Sequence, residues 1–197
     1  MKLVEARSLS AAQLGRVREI YEDGFDPRLR APFENLLTDR ALVLVDDAPR
    51  GLAVLRDLGD TGWVFLRYFV VGERGRGLGE RLWTSLRAAL TGRTRIVFDV
   101  EDPAEHGITA EEELVRRRRI TFYVRLGAVL LPANGYLPPH GNDAHPMLLM
   151  AADLDRPRTP PIAGEDLRQV TSAVYRHRYG LDHTHPVVAR TLRLSGL

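Results

Sequence analysis

Cysteine is absent from the 197 residues, which removes disulfides, thiolate metal sites and cysteine nucleophiles. Lysine is nearly absent as well. Lys2 is the only one, so the other basic residues are arginines. No interior lysine is available to form a Schiff base or to complete a phosphate-binding P-loop. No apolar run approaches the ~20 residues of a membrane-spanning helix. The opening MKLVEARSLS lacks the apolar core of a secretion signal. We therefore expect a cytoplasmic protein with no membrane partner. A formal net charge of +2 is too small to point to nucleic acid.

What is present fits one globular domain with an appendage. Apolar residues make up 44% and charged residues 27%, enough of the first to build a core and of the second to solvate its surface. Strand-like and helix-like segments alternate along the chain. KLVEARSL reads as a first strand. Ser10 and Gln13 form a capping-box pattern ahead of a helix marked by Leu14, Val17 and Tyr21. PFENLLTD reads as a short second helix. Residues 41–71 read as three strands with turns at Asp46 to Gly51 and Asp57 to Gly62. Leu82, Trp83, Leu86, Ala89 and Leu90 mark one face of a helix, and RIVFDVE is the next strand.

Thr109 and Glu112 form a second capping box, opening a helix that runs to Gly127. AVLLPANGY and HPMLLMAADL read as two closing strands. DRPRTPPIAGED is proline-rich and reads as a linker. Amphipathic helices around Leu167 to Tyr179 and Val187 to Leu194 follow it. This order gives an α/β or α+β fold with a mixed sheet. We expect residues 1–155 to form the main domain and 156–197 a linker with a helical extension.

Between the strand that ends near Val71 and the following helix lies VVGERGRGLGERLW, residues 70–83. Glycines there let several backbone N–H groups converge at a helix start, where the dipole favours an anion, and Arg74 and Arg76 add cations. This suits a pyrophosphate; a plain strand-to-helix turn is the competing reading. A P-loop is ruled out because Glu80 follows Gly79. A dinucleotide fingerprint read from Gly75 also fails at Glu80, although Asp99 lies at the distance of a ribose-binding acid. A nucleotide-dependent enzyme using this loop for a different pyrophosphate stays open as a rival class.

The order Arg-x-x-Gly-x-Gly at Arg74 to Gly79, after an apolar strand, resembles the acetyl-CoA loop of the GNAT superfamily of N-acetyltransferases. RRRRITFYVRLGA, residues 116–128, is similar to that superfamily's late helix, with Phe122, Tyr123, Leu126 and Gly127 matching. The resemblance covers roughly Leu42 to Leu154, and the C-terminal helices lie outside it. It implies a mixed, mostly antiparallel central sheet flanked by helices, acetyl-CoA as cosubstrate and no metal. It also implies direct transfer of an acetyl group to a primary amine on a small molecule or a protein. A non-catalytic acyl-CoA-binding or regulatory domain is the alternative, and a homodimer is compatible with either.

On this resemblance, Val70, Val71, Arg74, Gly75, Arg76, Gly77, Leu78 and Gly79 are the cofactor-binding candidates. Tyr123 matches the position whose hydroxyl protonates the leaving thiolate, or else it packs in the core. Glu101, ending its strand, is the candidate general base, set against an exposed loop carboxylate. Asp99 shares its face at strand periodicity and is the reserve, with Tyr68 a third candidate. Tyr68, Asp99, Arg119 and Tyr136 are the substrate-side candidates. Arg119 lies one helical turn before Tyr123, and Tyr136 lies with Pro138 and Pro139 in a loop that is otherwise an ordinary turn. The run Arg116 to Arg119 is expected to be a solvated face, with Glu112–Arg116 and Glu113–Arg117 pairs worth roughly 0.2–0.5 kcal/mol each. His140, His145, His183 and His185 match no common zinc spacing and are expected at the surface.

Overall fold

The computed structural model describes residues 1–27, 30–90, 92, 95–140, 143, 144 and 146–197, the side chains of 140, 143 and 144 excepted. Its main sheet has seven strands in the order β1-β2-β3-β4-β5-β9-β6, and β7 and β8 form a separate pair. The strands are β1 (Lys2–Glu5), β2 (Arg40–Val45), β3 (Pro49–Asp57), β4 (Trp63–Val71), β5 (Arg95–Glu101), β6 (Val129–Leu130), β7 (Pro139–His140), β8 (Asp143–Ala144) and β9 (Met147–Asp153). β4 and β5 run parallel, while β1–β2, β2–β3, β5–β9 and β6–β9 are antiparallel. The mixed, mostly antiparallel sheet flanked by helices is the one expected. The chain divides into two compact units, Met1–Arg56 with Leu66–Gly92, and Asp57–Phe65 with Arg93–Leu197.

In the first unit the Ser10–Gln13 capping box forms in full and opens α1 (Ala11–Gly24). Its buried Val17, Ile20 and Tyr21 pack with Phe33 and Leu36 of α2 (Phe33–Leu36) on Val43, Val54 and Tyr68. The first strand is shorter than KLVEARSL suggests, because Ala6–Ser8 turns into a 3-10 helix. α3 (Leu78–Ala89) buries Leu82, Trp83 and Leu86, as its periodicity predicts, and Trp83 meets Phe69 edge-on at 6.0 Å.

The second unit is organised on β5. All seven residues of β5 pair with β9, from Arg95 opposite Asp153 to Glu101 opposite Met147. Alternation gives the strand two chemically different faces. Phe98 meets Tyr123 of α4 (Ala110–Arg125), and Val97 joins a core with Leu149, Ala151 and Tyr136. That core is closed by Leu167 and Val170 of α5 (Gly164–Ala173), Val174 and Tyr175 of a π-helical turn (Val174–Arg178), and Val188 of α6 (Pro186–Leu194).

Two details depart from the sequence reading. AVLLPANGY yields only Val129–Leu130 as strand; Pro132 has no N–H for a ladder, and Gly135 turns the chain at a φ of +69°. The proline-rich segment is tied down rather than loose. Thr159 donates from both its backbone N–H (3.1 Å) and its hydroxyl (2.7 Å) to the Gly127 carbonyl. Gly127 ends α4 at a φ of +90°, and a Cβ there would lie 2.2 Å from the Pro157 oxygen. The adjoining bonds from Ala128 N–H to Tyr123 and from Gly127 N–H to Val124 complete a Schellman cap.

Because Leu167 is only 2% exposed within this core, Leu167→Ala should lower unfolding free energy by about 2–5 kcal/mol in a denaturant titration. An unchanged midpoint would mark the C-terminal segment as a passive tail.

Candidate functional site

In the first unit, β4 runs into the glycine loop through buried Val70 and half-buried Val71. The Gly72 N–H donates to the Arg50 carbonyl at 2.9 Å, which ties the loop entrance to β3. Gly75 and Gly77 take φ values of +80° and +69°, a region that side chains with a Cβ disfavour. Gly77 is the N-cap residue of α3, and no side chain caps that helix. The N–H groups of its first turn, which includes Gly79, therefore have no side-chain acceptor of their own. A Cβ at either Gly75 or Gly77 would meet nothing within 4 Å, so the glycines serve backbone conformation over an open surface. Leu78, 6% exposed, anchors the helix start in the core.

The charges around the loop are only partly those expected. Glu73 lies between Arg50 at 3.2 Å and Arg76 at 3.1 Å, so Arg76 is shared with a neighbouring carboxylate. Arg74 is exposed and has no ion-pair or hydrogen-bond partner among the described residues. Arg50 escaped the sequence reading because it precedes the loop by one whole strand. Tyr68 also lies in this unit, with its hydroxyl accepting from the Ala31 N–H at 3.1 Å and its ring edge-on to Tyr21 at 5.0 Å.

In the second unit, Tyr123 is buried on α4 with its ring 4.4 Å from Phe98 and 5.1 Å from Phe122. Burial pushes its phenol pKa well above the usual value, while the positive charge of Arg119 acts the other way. The hydroxyl therefore keeps its proton at neutral pH. Arg119 forms an ion pair with Glu101, and Arg116 lies 3.6 Å from the other oxygen of the same carboxylate. Arg116 also donates to Glu105 at 2.5 Å and to the Asp102 carbonyl at 2.7 Å. The expected Glu112–Arg116 pair gives way to these contacts, because the Glu112 carboxylate turns back to close the capping box on Thr109. The Glu113–Arg117 pair forms at 2.7 Å.

Asp99 has different company. Its Oδ2 accepts from Tyr136 at 3.2 Å and from Tyr179 at 2.8 Å. The structure thus gathers Tyr123, Arg119 and Glu101 in one group, and Asp99 and Tyr136 in another. Tyr179 was not foreseen. It lies 80 residues from Asp99, in a segment that resembled nothing, and its only signal is the Tyr175–Tyr179 helical spacing. The His185 ring accepts from the Val187 N–H at the start of α6, and His183 is exposed. His145 and the side chain of His140 lie outside the described residues. Among the described residues no three His, Asp or Glu side chains gather as a metal ion would need, and no helix is long and apolar enough to cross a membrane.

No family model matches the chain, and no curated protein matches it by sequence. Solved structures do match its fold. A Bacteroides thetaiotaomicron protein assigned to the GNAT acetyltransferase family is 23% identical, with a TM-score of 0.69 over 92% of this chain and 100% of its own. A GNAT-like decarboxylase in complex with isobutyryl-CoA is 16% identical, with a TM-score of 0.58 over 78% of this chain and 100% of its own. An aminoglycoside 6'-N-acetyltransferase complexed with coenzyme A is 22% identical, with a TM-score of 0.51 over 81% of this chain and 100% of its own. Together with the strand order and helix placement above, these likenesses show that the chain has the GNAT fold.

Proposed function

We propose that this protein is a cytoplasmic acyl-CoA-dependent N-acyltransferase, with acetyl-CoA as donor and a primary amine as acceptor. The observation that carries the reading is the start of α3. An uncapped first turn stands behind two left-handed glycines, beside an unpartnered arginine and open space. Those features fit a pyrophosphate: backbone N–H groups from Gly77 to Gly79, the helix dipole and the Arg74 guanidinium all favour negative charge. The GNAT fold supports the choice of a CoA pyrophosphate over that of a dinucleotide, since neighbours of this fold hold CoA and isobutyryl-CoA.

An acyl-CoA supplies an activated acyl carbon and a thiolate leaving group. The residues of this chain then have three tasks: to hold the phosphates, to take a proton from the incoming amine and to give one to the departing sulfur. Tyr123, protonated through burial, suits the third. Glu101 and Asp99 are the carboxylates available for the second, and the guanidinium groups of Arg116 and Arg119 already engage Glu101. A non-catalytic acyl-CoA binder would keep the loop and leave Tyr123 idle. Release of free CoA across a panel of amines separates the two readings, and only the enzyme should show it.

Two substitutions at one glycine test the loop. Gly77→Ala has room but a strained φ, at a cost of about 1–2 kcal/mol in stability. Gly77→Asp adds a negative charge where phosphate oxygens would lie. Calorimetry should show acetyl-CoA affinity at least tenfold weaker for Gly77→Asp than for Gly77→Ala, about 1.4 kcal/mol. Equal affinities in the two folded variants would remove the loop from the binding site.

Tyr123→Phe should lower kcat by roughly 10²–10⁴ if the hydroxyl is the general acid, with acetyl-CoA affinity nearly unchanged. Because burial raises the phenol above its ordinary value of about 10, the proton stays in place as pH rises from 7 toward that value. Wild-type activity should therefore show no loss from this group over that range. Full turnover in the variant would return Tyr123 to a packing role.

A further inference from the structure

We propose that Asp99, held by Tyr136 and Tyr179, is the receptor and general base for a cationic acceptor amine, and that the C-terminal segment completes this site. The inference rests on the acyltransferase reading and gives it an acceptor class. Both tyrosine hydroxyls donate to the same oxygen, Oδ2. Oδ1 has no partner among the described residues, and it is not among the buried unsatisfied polar atoms. Asp99 itself is half-buried, and no cation among the described residues pairs with it. A carboxylate oriented through one oxygen and open at the other is suited to bind an ammonium N–H.

The two donors are held by unusual means. A π-helical turn at Val174–Arg178 interrupts the helix that follows the proline-rich segment, with Tyr175 reaching Leu137 and Tyr179 reaching Asp99. The Tyr175 hydroxyl accepts from the Leu137 N–H at 3.1 Å and lies 2.9 Å from the Thr191 hydroxyl, which donates to the Gly135 carbonyl at 3.2 Å. The loop bearing Tyr136 is thereby fastened to the π turn and to α6. Tyr136 is fully buried and Tyr179 half-buried, so we take the Tyr179 side of Asp99 as the approach. Burial drives both phenol pKa values well above the ordinary range, so both remain donors.

The proton balance closes. The bound ammonium gives one proton to the Asp99 carboxylate, and the neutral amine forms the C–N bond as the C–S bond breaks. The sulfur leaves with the proton of Tyr123, and the second amine proton restores that phenol. Tyr123 contacts Phe98 on the opposite face of β5 from Asp99, which sets acid and base on different sides of one strand. Tyr136 and Tyr179 act through their bonds to Asp99 and are positioning residues.

The test uses the full chain with acetyl-CoA and three amines: n-butylamine, spermidine and a lysine-bearing hexapeptide. Asp99→Asn preserves an acceptor oxygen for both tyrosines and removes the charge. It should lower kcat/KM for the amine at least tenfold with acetyl-CoA affinity unchanged. Tyr179→Phe removes one donor to the carboxylate, so it should raise the amine KM more than it lowers kcat. It should also move the acidic limb of the pH profile upward, since the charged form loses a hydrogen bond. The groups facing Asp99 are Tyr136 from its loop, Tyr179 with Arg178 stacked on its ring, and apolar Leu149 from β9; Glu101 follows it on the strand. A purely structural tyrosine would lower the melting temperature and leave that limb in place. Wild-type kinetics in both variants, with the wild type active, would overturn the inference alone. If the wild type releases no CoA with any amine, the acyltransferase reading fails first. An NMR titration with n-butylammonium then decides: shifts at Tyr179 that vanish in Asp99→Asn sustain the ammonium site, and no shifts overturn it.

Discussion

The antiparallel ladder between β5 and β9 is the constraint on which the second unit depends. It pairs Arg95 through Glu101 with Asp153 through Met147 without a break. Side chains alternate along a strand, so a slip of one residue would exchange the two faces of β5 completely. In the observed register Val97 enters the core capped by α5 and α6, Phe98 lies against Tyr123, and Asp99 reaches Tyr136 and Tyr179. None of these contacts survives a different register. The position of both carboxylates is therefore set by backbone pairing rather than by anything local to them.

A second constraint holds the C-terminal segment to that frame, and counting protons shows how completely it is satisfied. Thr191 has one hydroxyl hydrogen, which goes to the Gly135 carbonyl, so the hydroxyl of Tyr175 must be the donor between the two. That leaves the Tyr175 oxygen to accept from the Leu137 N–H. Each hydroxyl of this small network has its partner, the condition under which a buried polar network rigidifies rather than destabilises. The fixing at Gly127 works similarly, with the Thr159 hydroxyl accepting from the Asp153 N–H at 2.8 Å while donating to the Gly127 carbonyl. A segment rich in proline and read as a linker is thus held at Thr159 by short polar contacts.

What could be read from sequence was whatever is encoded within a few residues. Both capping boxes, the amphipathic face of α3, the left-handed glycine at the end of α4 and the glycine turn before α3 depend on neighbours three to five positions apart. The partners of arginines and tyrosines did not follow from such spacing. Arg116 has Glu112 at helical distance, yet its guanidinium goes to Glu101 and Glu105, because Glu112 is engaged at the helix N-terminus. Asp39 takes Arg56 at 2.9 Å and Arg67 at 3.0 Å from strands far along the chain, which no local pattern announces. Tyr179 belongs to the same class, with the further difficulty that a π-helical turn changes the periodicity that would have placed it.

Asp99 and Glu101 show why residue type and spacing alone leave function open. They lie two apart on one strand, and strand periodicity makes them equivalent. Their environments make them different. Glu101 lies between two guanidinium groups of α4, which occupy its two oxygens; such a carboxylate binds a helix to a strand. Asp99 receives neutral donors, both at one oxygen, and among the described residues no cation forms an ion pair with it. Neutral phenols can steady a carboxylate without cancelling its charge, whereas arginines steady it by cancelling it. Under the proposed reaction the strand end divides into a structural acid and a chemical one. The division is made by which helix reaches each: α4 for Glu101, and the C-terminal turn for Asp99.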